Sequence, residues 1–295
     1  MPPVTPPQIA AFAFELLFAL SFAFASDRMC EIIGRWPAVL RVVFPAILVA
    51  PYLLVSIPAD AFSAGWCLLY AVLPIAVAGL LLRAASLDPS QRGNWRDFFV
   101  LLVLGLAVDL RWCESAWPSR LRALNELFWV DVGLYGFIAI RRLTGTGFDF
   151  RLRWSDWKTG LRELLFFAPI VIAAGIALGF IHPHANRPSV GAAVLRWLLI
   201  FLFTAVPEEL FFRAWLQNLL ERRAGRLPAL AFASIIFGLS HFNKRLRPGV
   251  HFNWQYVLLA SIAGIFYGRA WRENRRVPAS SITHASVDWL WGLWF

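Results

Sequence analysis

The sequence predicts an all-α protein, a polytopic membrane helix bundle with about eight to ten transmembrane helices. Of the 295 residues, 59% are hydrophobic and only 16% are charged. The mean hydropathy is +0.61, which lies outside the range typical of soluble globular domains. Long apolar runs alternate with short polar segments along the whole chain. These observations argue against a water-soluble enzyme.

The individual helices follow from the apolar runs, because a helix needs about 20 mainly apolar residues to cross the hydrocarbon core. Three of the runs, beginning at Phe98, Leu127 and Pro228, are shorter. Each of these either borrows polar flanks to span the membrane or is re-entrant. In chain order the predicted spans are Gln8–Ala25, Val39–Ile57, Trp66–Leu82, Phe98–Leu110, Leu127–Ile140, Leu164–Ile181, Val190–Gln217, Pro228–His241, Trp254–Trp271 and Ala279–Phe295.

The net charge of +10 is interpreted together with these spans. In a polar protein such a charge would suggest nucleic acid as a partner. Here most of the 28 Lys and Arg residues fall in the loops on one side of the predicted spans, as the positive-inside rule describes. The charge therefore indicates orientation and contact with anionic lipid, and nucleic acid is not expected as a partner.

The longest polar stretch, Arg141 to Glu163, divides the chain into two regions. It includes a predicted amphipathic helix, Ser155 to Glu163. Residues 1–145 form an N-terminal multi-span region of unassigned role, and residues 155–295 form a second region. We expect the acidic residues of the first region to lie at span ends, with a cavity of that region as the alternative: Glu15, Asp109 and Asp131.

The second region contains ionisable residues inside an apolar run, Pro207 to Arg213. An ionisable side chain within lipid is costly and is a functional candidate by default. On a helix, Glu209 and Arg213 share one face and can pair, whereas Glu208 points about 100° aside. One carboxylate can thus be held while the other acts as a general base. The alternative is a solvated structural cluster at the end of the helix.

Two further polar motifs lie close to the C-terminus. His241 closes an apolar run in Phe237 to His241. His284 and Asp288 are spaced four residues apart in the last span, so they share a helix face. Each motif alone is more typical of a hydrogen-bonded structural residue. The presence of all three motifs in one region favours a common site.

The three motifs together resemble those of the CAAX protease and bacteriocin-processing (CPBP) family, which includes the Ras-converting CAAX endopeptidases. The matching elements are Glu-Glu-x-x-x-Arg at Glu208 to Arg213, Phe-x-x-x-His at Phe237 to His241, and His-x-x-x-Asp at His284 to Asp288. The resemblance covers about Leu164 to Phe295. It implies an intramembrane endopeptidase with an all-helical core whose active site opens to the cytosol.

The resemblance also implies roles for individual residues. Glu208 is similar to the family's general base, which activates water together with His241. Glu209 and Arg213 are similar to its supporting pair. His284 is similar to one donor of the family's oxyanion site, and position 288 to the second.

Position 288 departs from the family pattern, which usually has Asn there. An ionised carboxylate accepts hydrogen bonds but cannot donate one to an oxyanion. Asp288 must be protonated, orient His284 or play another part. The departure also keeps a metal-dependent version open, because two imidazoles and two carboxylates would suit zinc or another divalent ion. The ligands would be Glu208, His241, His284 and Asp288, although no His-Glu-x-x-His motif supports them.

The sequence therefore predicts a glutamic-type intramembrane hydrolase, similar to CAAX prenyl endopeptidases, that requires no cofactor. Its expected partners are the lipid bilayer and a membrane-anchored or prenylated protein or peptide. The expected location is the bacterial inner membrane. One alternative is a non-catalytic membrane protein that binds peptides as an immunity or scaffold protein. A second is an ion-relaying transporter, which the lack of an inverted repeat disfavours.

Overall fold

The structure, a computed structural model, describes residues 4–184, 188–245 and 251–295. Within these ranges the chain forms ten helices and no strands, which confirms the predicted all-α bundle. The helices are α1 (Pro6–Gly34), α2 (Ala38–Ser56), α3 (Ala64–Leu87), α4 (Trp95–Asp109), α5 (Ser119–Ile140), α6 (Trp154–Ala177), α7 (Val190–Ala224), α8 (Arg226–Leu239), α9 (Trp254–Asn274) and α10 (Val277–Trp294).

Every predicted span coincides with one of these helices. By length and composition, six of them can cross a membrane: α1, α2, α3, α5, α6 and α7. The other four are shorter or less apolar. Several long apolar helices in one chain support a multi-pass integral membrane protein.

The chain divides into two compact units, Met1–Thr144 and Gly145–Phe295. In the first unit, 83% of an apolar 18-residue stretch of α5 is buried, compared with 22% of the corresponding stretch of α1. Helix α5 is thus the central helix of this unit. The polar end of the unit is fixed by Arg141, whose Nε lies 2.8 Å from Asp97 Oδ1 and whose Nη2 lies 2.6 Å from Asp88 Oδ2.

The expectation that Glu15 and Asp131 lie at span ends is wrong. Both side chains are completely buried, and each lies inside a helix, α1 or α5. Helix α5 extends back to Ser119 through polar residues, so Asp131 is a mid-helix residue. Asp109 does lie at a helix end, as the last residue of α4.

The second unit packs α10 against α6 and α9, and α8 against α9. Helix α6 is continuous from Trp154, so the amphipathic segment predicted from Ser155 is its first part and not a separate helix. Gly225 separates α7 from α8 with a φ of +85°, a conformation that favours glycine.

A buried ion pair fixes the start of α10. Arg276 immediately precedes this helix, and its Nε lies 2.7 Å from Oδ1 of Asp156 in the first turn of α6. Nη1 of Arg276 also lies 3.2 Å from Oδ2 of Asp149 in the segment before α6. The N-terminal turns of α6 and α10 are thereby held together.

Candidate active site

The two glutamates of the first motif lie in an irregular part of α7. The short α-helical segment Val206–Glu209 is preceded by a π-helical segment, Phe201–Ala205, and followed by another, Leu210–Gln217. Pro207 has no N–H and its ring crowds the preceding turn of a regular helix. The wider preceding turn accommodates this residue, and such π segments frequently occur at functional sites.

Glu209 is a fully buried residue with both carboxylate oxygens occupied. Arg213 Nε donates to its Oε2 at 3.0 Å, the contact that the four-residue spacing predicts. Its Oε1 lies 3.0 Å from His284 Nδ1. Because a carboxylate has no proton to give, Nδ1 of His284 is the donor. Glu209 thus joins the first motif to the third across 75 residues of sequence.

Glu208 differs from its neighbour. Its side chain is 26% exposed, and its Oε2 is buried without a hydrogen-bond partner among the described residues. The same oxygen lies 3.8 Å from His284 Nε2. The carboxylate of Glu208 is therefore near the imidazole but is not held by it.

His241 follows α8 and is buried. Its Nδ1 lies 2.9 Å from the carbonyl oxygen of Phe237. A carbonyl oxygen can only accept, so Nδ1 carries the proton, and in the neutral ring Nε2 is left as an acceptor. Glu208 lies near enough to act electrostatically on His241. The second motif thus supplies an acceptor nitrogen within electrostatic range of the Glu208 carboxylate.

Phe237, the first residue of the second motif, is the centre around which the three motifs pack. Its ring centroid lies 5.0 Å from that of His241 and 5.7 Å from that of His284. The guanidinium of Arg213 lies 5.3 Å from the same ring, within the range of a cation–π contact. One apolar side chain therefore sets the spacing of both histidines and the arginine.

Asp288 lies beside His284 at the edge of the site. Its Oδ2 is 3.6 Å from His284 Nε2, and its side chain is 33% exposed. The ring nitrogen Nε2 thus has two carboxylates nearby, from Glu208 and Asp288, both beyond good hydrogen-bonding distance. The predicted residues of all three motifs are therefore assembled at one place.

A cavity of about 110 Å³ opens beside these residues. Most of its lining is apolar and comes from α6, α8, α9 and α10, with polar groups from His241, His284 and Asp288 at one end. A mainly apolar cavity with a few convergent polar groups is typical of a ligand site.

Two tyrosines of α9 complete the site, and the sequence motifs do not include them. The Tyr267 ring stacks on His284, with centroids 4.6 Å apart and planes at 15°. The Tyr256 ring contacts His241 with the same 4.6 Å separation. Their spacing of 11 residues, about three helical turns, is the only signal that would have placed them on one face.

The metal set considered from the sequence does not form a recognisable centre. In the described part of the chain, no group of three or more His, Cys, Asp and Glu side chains is arranged to hold a metal ion. The Nδ1 atoms are engaged, by Glu209 in His284 and by the Phe237 carbonyl in His241, which leaves Nε2 of each ring directed elsewhere. The steps proposed below use the side chains alone, and metal dependence stays a prediction to be tested.

Comparisons with known proteins support the motif assignment over part of the chain. Residues 189–290 match the family described as type II CAAX prenyl endopeptidase Rce1-like. The chain is also similar to an undecaprenyl-diphosphatase from Bifidobacterium adolescentis, with 31% identity over 72 residues. That stretch spans only 24% of this chain and 23% of the relative. No solved structure matches the chain.

The family match includes every residue of the three motifs, from Glu208 to Asp288. At the level of the family it supports a hydrolase, a CAAX-type intramembrane protease. The resemblance predicted from the motifs is thereby confirmed: the segment 189–290 is related to the type II CAAX prenyl endopeptidases.

Proposed function

We propose that the second unit is an intramembrane endopeptidase of the glutamic type, which hydrolyses a peptide bond in a membrane-anchored or prenylated protein or peptide. The observation that carries this proposal is the difference between two adjacent glutamates. Glu209 has both oxygens occupied, by Arg213 and His284. Glu208 retains a buried oxygen with no partner among the described side chains, as a general base requires.

In the proposed reaction, Glu208 takes a proton from a water molecule that also donates a hydrogen bond to Nε2 of His241. The water oxygen attacks the carbonyl carbon of the substrate, and the carbonyl oxygen becomes an oxyanion. Glu208 then returns the proton to the nitrogen of the leaving amine as the C–N bond breaks. No other proton donor or acceptor is needed to balance the reaction.

The oxyanion requires hydrogen-bond donors, and Asp288 as a carboxylate cannot be one. As an imidazolium among the carboxylates of Glu208, Glu209 and Asp288, His284 donates from both ring nitrogens, from Nδ1 to Glu209 and from Nε2 to the oxyanion. We assign the second donor to the hydroxyl of Tyr256. This side chain lines the cavity with His284 and Asp288, and Asp288 and Glu208 act on it electrostatically.

The apolar cavity wall suits the anchored part of such a substrate. Burial of apolar surface stabilises a complex by about 25 cal/mol per Å². An isoprenoid or apolar peptide segment would occupy the wall formed by α6 and α9, which places the scissile bond at the polar end near Glu208. We further propose that the protein resides in the bacterial inner membrane with this end open to the cytosol, consistent with the basic loops.

The test uses the full chain in proteoliposomes with a farnesylated peptide that carries a C-terminal CAAX sequence. Glu208→Gln is expected to abolish cleavage, because the amide cannot accept the proton. Glu221→Gln is the matched control: it is the same substitution on the same helix, and Glu221 faces Arg275 instead of the cavity. Full cleavage by Glu208→Gln would refute the glutamic mechanism. Peptide binding without cleavage by the wild type would favour the non-catalytic alternative.

A second candidate is hydrolysis of a prenyl diphosphate, which the match to an undecaprenyl-diphosphatase favours. A diphosphate requires cationic groups around its oxygens. At the described site the available guanidinium, that of Arg213, is fully buried and engaged with Glu209. Release of phosphate from undecaprenyl diphosphate, lost in Glu208→Gln, would favour this candidate over the peptidase.

A further inference from the structure

The first unit contains a pair of acidic residues that the proposed peptidase does not use. Glu15 on α1 and Asp131 on α5 are both completely buried, and their carboxyl groups face each other. Glu15 lies nine residues from the start of α1, about 14 Å along the helix, which is close to half of a hydrocarbon core about 30 Å thick. The pair is therefore deep within two helices that can cross a membrane.

The environment of the pair offers no compensation for two negative charges. No N–H or O–H group among the described residues donates to any of the four carboxyl oxygens, and the two carboxyl groups lie within hydrogen-bonding reach of each other. The ionisable group that acts on Glu15 is Asp131, and the one that acts on Asp131 is Glu15. Arg120 is on the same side of α1 but contacts Gln8 at 3.4 Å, seven residues or about 10 Å along the helix from Glu15.

Tyrosine side chains from α2, α3 and α5 lie in this region. Tyr70 on α3 lies near enough to interact electrostatically with Glu15, and its ring stacks on that of Tyr52 from α2. Tyr135, one turn after Asp131, donates its hydroxyl to the carbonyl oxygen of Arg41 at 2.7 Å. The tyrosines are neutral, and Arg41 acts electrostatically on Tyr135 but not on Glu15 or Asp131, so a negative charge on the pair has no compensating cation among the described residues.

We propose that Glu15 and Asp131 form an exchangeable cation site in the first unit, in which the two carboxyl groups hold one monovalent cation, a proton or a sodium ion. Two ionised carboxylates facing each other in an apolar bundle repel each other and are both desolvated. A single positive charge between them relieves both costs. Carboxylate oxygens are hard ligands, which suit a proton or an alkali ion and not a soft metal. The proposal is independent of the peptidase.

A polar chain connects the neighbourhood of this site to the segment between α4 and α5. Tyr70 donates its hydroxyl to Asn125 Oδ1 at 2.8 Å and accepts from Trp117 Nε1 at 2.6 Å. Asn125 Nδ2 in turn donates to the carbonyl oxygen of Trp112 at 3.0 Å. Trp112 is 42% exposed. This chain of hydrogen bonds leads from a tyrosine within electrostatic range of Glu15 to a partly exposed tryptophan.

The first test is pH-dependent infrared difference spectroscopy of the full chain in liposomes. A buried carboxylic acid gives a C=O band that disappears when the acid loses its proton. We expect such a band to titrate with pH and to be lost in the double variant Glu15→Gln, Asp131→Asn. Asp27→Asn and Glu31→Gln change exposed residues of the same helix and should retain the band.

The cation is identified by repeating the titration with sodium chloride in place of choline chloride. If Na⁺ competes for the site, the midpoint moves to lower pH, because bound Na⁺ stabilises the ionised pair. If it does not move, the ligand is the proton. A band that persists in the double variant, or that responds neither to pH nor to Na⁺, would overturn the proposal.

A second measurement uses the wild-type protein, so its result does not depend on whether the variants fold. An apolar carbodiimide reacts with protonated carboxyl groups inside membranes, and the modified peptide is found by mass spectrometry. We expect labelling of Glu15 or Asp131 that increases at low pH. Absence of labelling at either residue at every pH would contradict an exchangeable site. Because Glu208→Gln leaves the first unit unchanged, the band should persist in that variant even if the proposed peptidase is wrong.

Discussion

The contact between α6 and α10 at Gly160 controls where His284 lies, and it can be perturbed by a single methyl group. A Cβ at Gly160 would lie 2.9 Å from the backbone oxygen of Ala279 and 2.8 Å from Cγ2 of Ile282. Ile282 can shift its side chain, but the oxygen of Ala279 belongs to the helix backbone. To reach an ordinary contact of about 3.4 Å, α10 must move from α6 by roughly 0.5 Å.

A movement of this size is large compared with the tolerance of the site. His284 is two residues from Ile282 on the same helix, and its Nδ1 lies 3.0 Å from Glu209 Oε1. A change of about 0.5 Å in that distance would weaken the hydrogen bond. A misplacement of about 1 Å can cost about 100-fold in rate. We therefore expect Gly160→Ala to lower kcat by about tenfold or more and to destabilise the protein by about 1–3 kcal/mol.

The assay measures peptide cleavage and the thermal unfolding midpoint of Gly160→Ala beside a matched variant, Gly191→Ala. Gly191 also lies in a helix, but its Cβ would meet nothing within 4 Å. That control should retain activity and gain up to about 1 kcal/mol from helix propensity. Wild-type cleavage and an unchanged midpoint in Gly160→Ala would refute the argument that this contact positions His284.

Three further predictions concern the site and the second unit. Asp288→Asn should raise kcat by about tenfold or more with little change in KM, because an amide can donate to the oxyanion; a fall in kcat would mean that the carboxylate itself is required. Exhaustive chelation with EDTA and phenanthroline should leave cleavage undiminished, and loss of activity restored by zinc would contradict the metal-free mechanism. Partial burial of Asp149 is outweighed by the Arg151 N–H and by Arg276, which hold the pKa of this carboxyl below its ordinary value of 3.8. The resulting stabilisation is present above that value and is lost as pH falls through the lower folded-state pKa. Asp149→Asn should therefore unfold more readily at neutral pH and show a smaller loss of thermal stability below about pH 4 than the wild type.

Local spacing in the sequence accounts for the contacts made within one helix. The pairing of Glu209 with Arg213 and the proximity of His284 to Asp288 both follow from the four-residue spacing. The contact between Glu209 and His284 does not, because it depends on how α7 and α10 pack. The contacts of Phe237 with the two histidines also depend on helix packing. So do the contacts of the tyrosines of α9.

The sequence does not predict the mid-helix positions of Glu15 and Asp131, for a different reason. Span prediction counts apolar residues and therefore gives a span of Leu127–Ile140. In that span the Asp131 carboxylate would lie near the beginning. The helix in fact continues through Arg122 and Asn125 to Ser119, because these polar side chains lie where the unit provides partners, such as Tyr70 for Asn125. Hydropathy contains no information about such partners.

The π-helical segments on both sides of Val206–Glu209 make the direction of the Glu208 and Glu209 carboxylates a property of helix winding. In a regular α-helix each residue turns by about 100°, so removal of one residue from Leu210–Gln217 would restore regular winding and rotate everything beyond it. An ideal helix would still hold Glu209 and Arg213 on one face, but the parts of α7 before Phe201 and after Gln217 would be rotated relative to that face. A version of this site transplanted onto an ideal helix would therefore keep the pair and change which neighbouring helices the carboxylates meet, so any redesign must preserve the irregular winding along with the motif.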